Sequence, residues 1–166
     1  MDLFKELIAE FEKETAKTRQ TLAAIPEGAD LAYKPHAKSM ALGRLAAHVA
    51  ETPGNWAILM LTKDEMIWKK EEFKPWVPAS KAEVLERFEA DLAKTKQTLA
   101  AMTEEKWQSH WKMGDGTAFW IDDTKYNVFR EWTMNHMIHH RAQLGVYLRL
   151  LDAPIPGTYG PSADAM

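Results

Sequence analysis

Residues 124–151 read TKYNVFREWTMNHMIHHRAQLGVYLRLL, and within them Phe129, Thr133, His136, His140, Leu144, Tyr147 and Leu151 recur every three or four positions. That spacing lines one side of an α-helix, roughly 40 Å long at 1.5 Å per residue. The stripe is the inward face of a bundle helix, and it carries histidines among its apolar residues. Upstream, residues 104–123 hold Trp107, Trp111 and Trp120 around the turn signal Gly114-Asp115-Gly116, which fits a short hairpin or an ordered loop. Downstream, a proline-rich tail, APIPGTYGPSADAM, closes the chain.

Three more helices are predicted further out. Over residues 2–25 the stripe is Leu3, Leu7, Ile8, Phe11, Leu22 and Ile25, bridged by Thr15 and Thr18 and stopped by Pro26 and Gly28. A second helix spans 39–61 with Ser39 as its candidate N-cap, and Pro53-Gly54 predicts a kink or break around 52–54. Residues 63–79, with Pro75 and Pro78, form a crossover over the surface, although 62–65 could cap a short helix. Ser80 and Glu83 have capping-box spacing, and Val84, Leu85, Phe88, Leu92, Leu99 and Met102 follow with helical period over 80–102.

AKTRQTLAA at 16–24 recurs as AKTKQTLAA at 93–101, and Phe11-Glu12 matches Phe88-Glu89 in the same register. The first and third helices are therefore equivalent elements, each followed by a loop and a histidine-bearing helix. The expected architecture is all-α: one domain over 1–166, a four-helix bundle with a long crossover between two pseudo-symmetric helix pairs.

Composition narrows the function. With 21 Lys+Arg against 24 Asp+Glu, the net charge of -3 offers no basic excess for nucleic acid. No apolar run approaches the ~20 residues of a membrane span, and the opening MDLFKELIAEF is charged and helical rather than signal-like, so a cytoplasmic protein is expected. The chain has no cysteine, which removes disulfides, thiolate ligands and a cysteine nucleophile together. His, Asp and Glu must carry any metal or catalytic chemistry.

His136 and His140, four residues apart on the inward stripe, point the same way from successive turns. His48 lies beside the stripe Leu45, Val49, Thr52 and Trp56 of the second helix and can also face the interior. Core histidines satisfied by hydrogen bonds would show a similar pair, but a third on another inward stripe points to metal. Three neutral imidazoles form an open site whose fourth position is left to water or substrate. His139 could replace His140 as partner of His136, with periodicity favouring His140. His36 and His110 fall in loops and are expected to face solvent.

Met137 stands where a zincin peptidase has its glutamate, and no histidine has a glutamate three residues before it as di-iron bundles require. There is no Gly-rich phosphate loop and no G-x-S-x-G elbow.

Tyr33-Lys34-Pro35, Ser39, Leu45-Ala46-Ala47-His48-Val49-Ala50 and Asn135-His136-Met137-Ile138-His139-His140-Arg141-Ala142-Gln143-Leu144 together resemble the DinB-like family of small bacterial metal-binding proteins, which includes YfiT-type members. The resemblance covers nearly the whole chain, with H-x3-H-R-x-Q-L its most specific part. Ala142 stands where many members have Gly, a small departure. The resemblance implies a four-helix bundle with a long crossover, commonly a homodimer, with a divalent metal on three histidines that map to His48, His136 and His140.

Characterised relatives imply a metal-dependent transferase acting on a small-molecule electrophile with a low-molecular-weight thiol as cosubstrate. An open-site metal lowers a thiol's pKa from ~8.5 and supplies the thiolate that a cysteine-free chain lacks. Trp56 and Trp132 are candidates for an apolar substrate wall. A metal-dependent hydrolase is the alternative, with a metal-bound water of pKa about 7 and a nearby carboxylate. Glu51, one turn from His48, is the first candidate for that carboxylate and Glu131 the second. A third reading is a structural ion in a non-catalytic, stress-induced protein. An imidazole-rich open site suits Zn, Ni, Cu or Fe, with Zn or Ni expected here. Metal binding is expected to weaken as pH falls through the imidazole range near ~6.5.

Overall fold

A computed structural model describes residues 2–165. Helix α1 (Leu3–Ala23) starts at Asp2, whose carboxylate accepts from the backbone N–H groups of Phe4 and Lys5, both at 3.2 Å. The second predicted helix is a bent rod: α2 (Leu42–Glu51), a π-helical turn (Thr52–Trp56) and α3 (Ala57–Thr62). Its start corrects the sequence reading, because Ala41 occupies the cap position with no side-chain hydrogen bond and Ser39 stays outside. Helix α4 (Lys81–Ala100) begins as expected at Ser80, whose Oγ accepts from the Glu83 N–H at 3.2 Å. After the short α5 (Glu104–Gln108), the last rod comprises α6 (Lys125–Val128), a π-helical segment (Phe129–Asn135) and α7 (His136–Leu150).

The bundle is not strictly all-α. A three-stranded sheet, β1 (Glu65–Ile67), β2 (His110–Gly114) and β3 (Phe119–Thr124), runs in the order β1-β2-β3. β1 pairs with β2 in parallel, Met66 opposite Met113, and β2 with β3 antiparallel. Of the two possibilities for 104–123, the hairpin is realised after one helical turn. Asp115 Oδ1 accepts from the Thr117 and Ala118 N–H groups, and Gly116 takes the positive φ of 91° that the turn requires. Residues 62–65 cap no helix; they lead into β1, whose partner lies far along the chain.

The kink at Pro53 has a partner built for it. Pro53 has no N–H to close a helical hydrogen bond, and Gly54 leaves helical geometry at φ -97° and ψ -111°. Thr95 Oγ1, fully buried on α4, donates to Pro53 O at 2.8 Å. A Cβ on Gly54 would come within 2.7 Å of Asp91 Cβ, so the missing side chain is what lets α4 approach. Thr18, at the position equivalent to Thr95 in the repeat, is also fully buried and accepts from Arg141 Nη1 at 3.2 Å. The repeated segment thus uses the same threonine to dock each histidine-bearing rod.

Between the rods the core is apolar and continuous: Leu7, Phe11 and Leu22 of α1 and Val84, Phe88 and Leu92 of α4 pack with Leu45, Val49, Phe129 and Leu144. Phe11 meets Phe129 with ring centroids 5.3 Å apart. Arg141 crosses this core as its buried cation, with Nη2 donating to Glu14 Oε2 at 2.6 Å and Nη1 to Glu14 O at 2.9 Å. Tyr159, from the tail, donates to the same carboxylate at 2.6 Å. No helix among the described residues is long and apolar enough to cross a membrane.

Candidate metal centre

His48 sits in the last turn of α2 and His136 is the first residue of α7, so each lies next to one of the two π-helical segments. A π turn adds a residue to the helical repeat and re-aims the side chains beyond it, which is why such turns recur at functional sites. The two rods bring His48 Nε2 to 2.8 Å from His136 Nε2. His140, one turn beyond His136, closes the triangle, with ring centroids 4.4 Å from His48 and 4.6 Å from His136. One ring nitrogen of each lies within 4.8 Å of the others.

His139 does not join them. It points outward, exposed, and Gln143 ties it back: Gln143 Oε1 lies 2.7 Å from His140 Nδ1 and Gln143 Nε2 lies 3.0 Å from His139 Nε2. With the amide oxygen toward His140, Nδ1 carries the proton and Nε2 keeps its lone pair for the cluster. His48 Nδ1 is buried without a hydrogen-bond partner.

The electrostatics favour neutral rings. Burial, then the neighbouring charges of His140, His136 and Arg44, pushes His48 down to about 3. Burial again, followed by His140 and His139, brings His136 to about 4. His140 is lowered by burial and by His139 and Arg44, against the opposing hydrogen bond from Gln143. Three uncharged nitrogens that converge, with no carboxylate among them, are a donor set suited to a divalent transition-metal ion.

Two of the three rings, His48 and His136, line a cavity of about 480 Å³. Trp56 and Trp132 are both in its wall, as is Trp68 from the crossover. Trp132 stacks on His136 with centroids 6.2 Å apart, and Trp56 stacks on Trp68 at the same separation. β2 and β3 supply Trp111, Met113 and Ile121. The three-stranded sheet is therefore part of the cavity.

Neither candidate carboxylate lines that cavity. Glu51 accepts from Arg44 Nη1 at 2.9 Å, and Glu131 is exposed. His36 and His110 are solvent-facing as expected, although His110 opens β2 rather than lying in a loop, its Nδ1 2.7 Å from Asp122 Oδ1. The sequence reading gave two residues no role although their spacing signalled one. Arg44 precedes His48 by one turn and enters the cavity wall, and Gln143 follows His140 at the i,i+3 spacing that lets it reach the ring.

The family model described as the DinB family matches residues 1–166. The chain belongs to the DinB family. Three solved structures share the DinB fold at low sequence identity. A DinB-like protein from Bacillus cereus is 19% identical with a TM-score of 0.66, over 92% of this chain and 95% of that one. The DinB-like protein YjoA from Bacillus subtilis is 18% identical with a TM-score of 0.68, over 94% and 99%. YfiT from Bacillus subtilis, described as a probable metal-dependent hydrolase with an unusual four-helix bundle topology, is 18% identical with a TM-score of 0.67, over 90% and 87%. No protein of curated function matches this DinB-family chain.

Proposed function

We propose that His48, His136 and His140 hold a divalent metal ion, Zn or Ni, and that the chain is a metal-dependent transferase that joins a low-molecular-weight thiol to a small apolar electrophile. The observation that carries this reading is the convergence of three neutral imidazoles, two of them lining an aromatic cavity whose wall has no carboxylate. When bound, an open-site metal supplies an acidified thiol at neutral pH. Gln143 holds the His140 tautomer, while Trp56, Trp111 and Trp132 exclude water and position the electrophile. The sulfur forms a bond to the electrophilic carbon, the thiol proton passes to solvent, and the displaced electron pair leaves with the departing group. A homodimer belongs to the same proposal; the exposed Val146 and Leu150 on α7 support it, and light scattering checks it.

A hydrolase is the second reading, favoured by the description of YfiT. It needs a base for the attacking water, and Glu51 and Glu131 both lie off the cavity wall, which places the thiol reading first. The test is the absorption spectrum of the cobalt-substituted protein titrated with cellular thiols. The chain has no cysteine, so a thiolate-to-cobalt band can come only from the added thiol. A saturable band in the native protein, lost in His136→Ala, supports transfer. Cobalt bound with no thiol band turns the assignment to hydrolysis, and failure to bind cobalt overturns the site.

A further inference from the structure

One residue of the cavity wall is formally charged, and it is Arg44. Every other lining residue is aromatic, aliphatic, a thioether, a threonine or a histidine held neutral by burial. Arg44 is itself largely buried, its side chain 17% exposed, so its charge needs a counter-ion. The one it has is shared. Glu51 accepts from Arg44 Nη1 at 2.9 Å and also faces Arg87 Nη2 at 3.9 Å. Arg87 goes on to Asp91 at 3.5 Å, and Asp91 to Lys94 at 3.1 Å. Three cations thus divide two carboxylates, and the chain ends at the cavity with Arg44. Its Nε and Nη2 make no hydrogen bond among the described residues, leaving donors of the guanidinium fork unspent.

We propose that Arg44 is the specificity-determining residue of the cavity, and that the ligand is a small molecule with an apolar, preferably aromatic, body and a carboxylate that Arg44 receives beside the histidines. The tryptophan and methionine walls call for the apolar body, and a guanidinium with free donors in a water-poor wall calls for the anion. Arg44 lowers the pKa of His48 and of His140, consistent with its closeness to both rings. Glu51 acquires a defined part here: it holds Nη1 of the guanidinium and leaves the Nε and Nη2 donors free. The inference rests on the reading of this cavity as a substrate site, and it adds an anionic group to the small apolar molecule that reading names.

The experiment is calorimetric titration of the full chain with 2-naphthoate and with its neutral counterpart 2-naphthylmethanol, using metal-loaded and metal-stripped protein. The native protein is expected to bind the carboxylate about tenfold or more tighter than the alcohol, with or without metal, as a charge-assisted contact predicts. Arg44→Gln should abolish that preference, weakening the carboxylate about tenfold or more relative to the alcohol. Arg44→Lys, which keeps the charge but not the fork, should retain part of it and serves if the glutamine variant fails to fold. A preference that survives Arg44→Gln and vanishes on metal removal would assign the carboxylate to the ion and overturn the inference. Mercaptoacetate against mercaptoethanol separates the two sources of the anion: an Arg44-dependent preference for the acidic thiol, with none for naphthoate, also overturns it. Failure of the metal reading looks different. The cobalt spectrum is then blank while the Arg44-dependent preference persists.

Discussion

The Nε2 atoms of His48 and His136 face each other at 2.8 Å across the two rods, and neither ring has a carboxylate to charge it. In the metal-free protein one of these nitrogens must donate to the other, whereas with an ion between them both offer lone pairs. The rings are held uncharged, as ligation needs, and binding then requires only a change of tautomer on the donating ring.

That changes the expected pH dependence. Protons compete with metal at the folded-state pKa values, which lie at about 3 for His48 and about 4 for His136 rather than at the ordinary imidazole value. Between pH 8 and about 4, occupancy should therefore be lost at lower pH than the ~6.5 that unperturbed imidazoles predict, because burial lowers all three rings. Equilibrium dialysis across that range decides; half-loss near pH 6.5 would show that the rings are not buried as described.

The metal-free protein should show the linked effect on stability. The unfolded chain takes up protons on these histidines as pH falls through about 6.5, while the folded chain resists until about 4. Stability contributed by the cluster is thus present above about pH 6.5 and declines as pH falls toward 4. His48→Phe, which removes the most lowered of the three, should flatten the fall of Tm over this window.

Gln143→Leu tests the tautomer lock. Loss of the 2.7 Å contact to His140 Nδ1 should weaken metal affinity by about 10- to 100-fold, the usual cost of an outer partner, with little change in Tm of the metal-free protein. An unchanged affinity would assign Gln143 to His139 alone.

Gly54→Ala places a Cβ 2.7 Å from Asp91 Cβ on a backbone already outside helical geometry. The expected cost is about 1–3 kcal/mol, read as a lower denaturation midpoint. The shift of α4 against the kink should also reduce metal affinity, because His48 lies on the turn before it.

Arg141→Met removes the more deeply buried of the two cations on Glu14 and leaves Lys17 at 2.8 Å, so the loss should stay below the about 3–5 kcal/mol of a fully broken buried pair. The double variant Glu14→Gln, Arg141→Met should recover a large part of that loss in urea melts. If the single and double variants are equally unstable, the pair acts through packing and not charge.

Much of the fold is local and was therefore legible. Helical periodicity located all four rods, the Ser80 cap began α4 where expected, and Pro53-Gly54 marked the kink, since each effect acts within about one turn of chain. The repeat was visible too, although only the structure shows why Thr18 and Thr95 recur: both dock the rod that carries histidines. Ser39 misled because its side chain makes no cap, and α2 starts later against Tyr33 and Leu31, whose carbonyls accept from the Leu42 and Gly43 N–H groups.

What the chain determined by itself is the set of amphipathic rods and the shared face of His136 and His140, because side-chain direction on a helix follows from sequence spacing. The tertiary structure alone decided that His48 meets His136 and His140 across the rods, that β1 finds β2, and that Trp68 closes over Trp56. It also decided that Arg44 enters an apolar wall while Glu51 and Glu131 stay off it. These depend on which surfaces meet when distant segments pack, and that is set by long-range burial and hydrogen-bond satisfaction, for which no local spacing is a proxy.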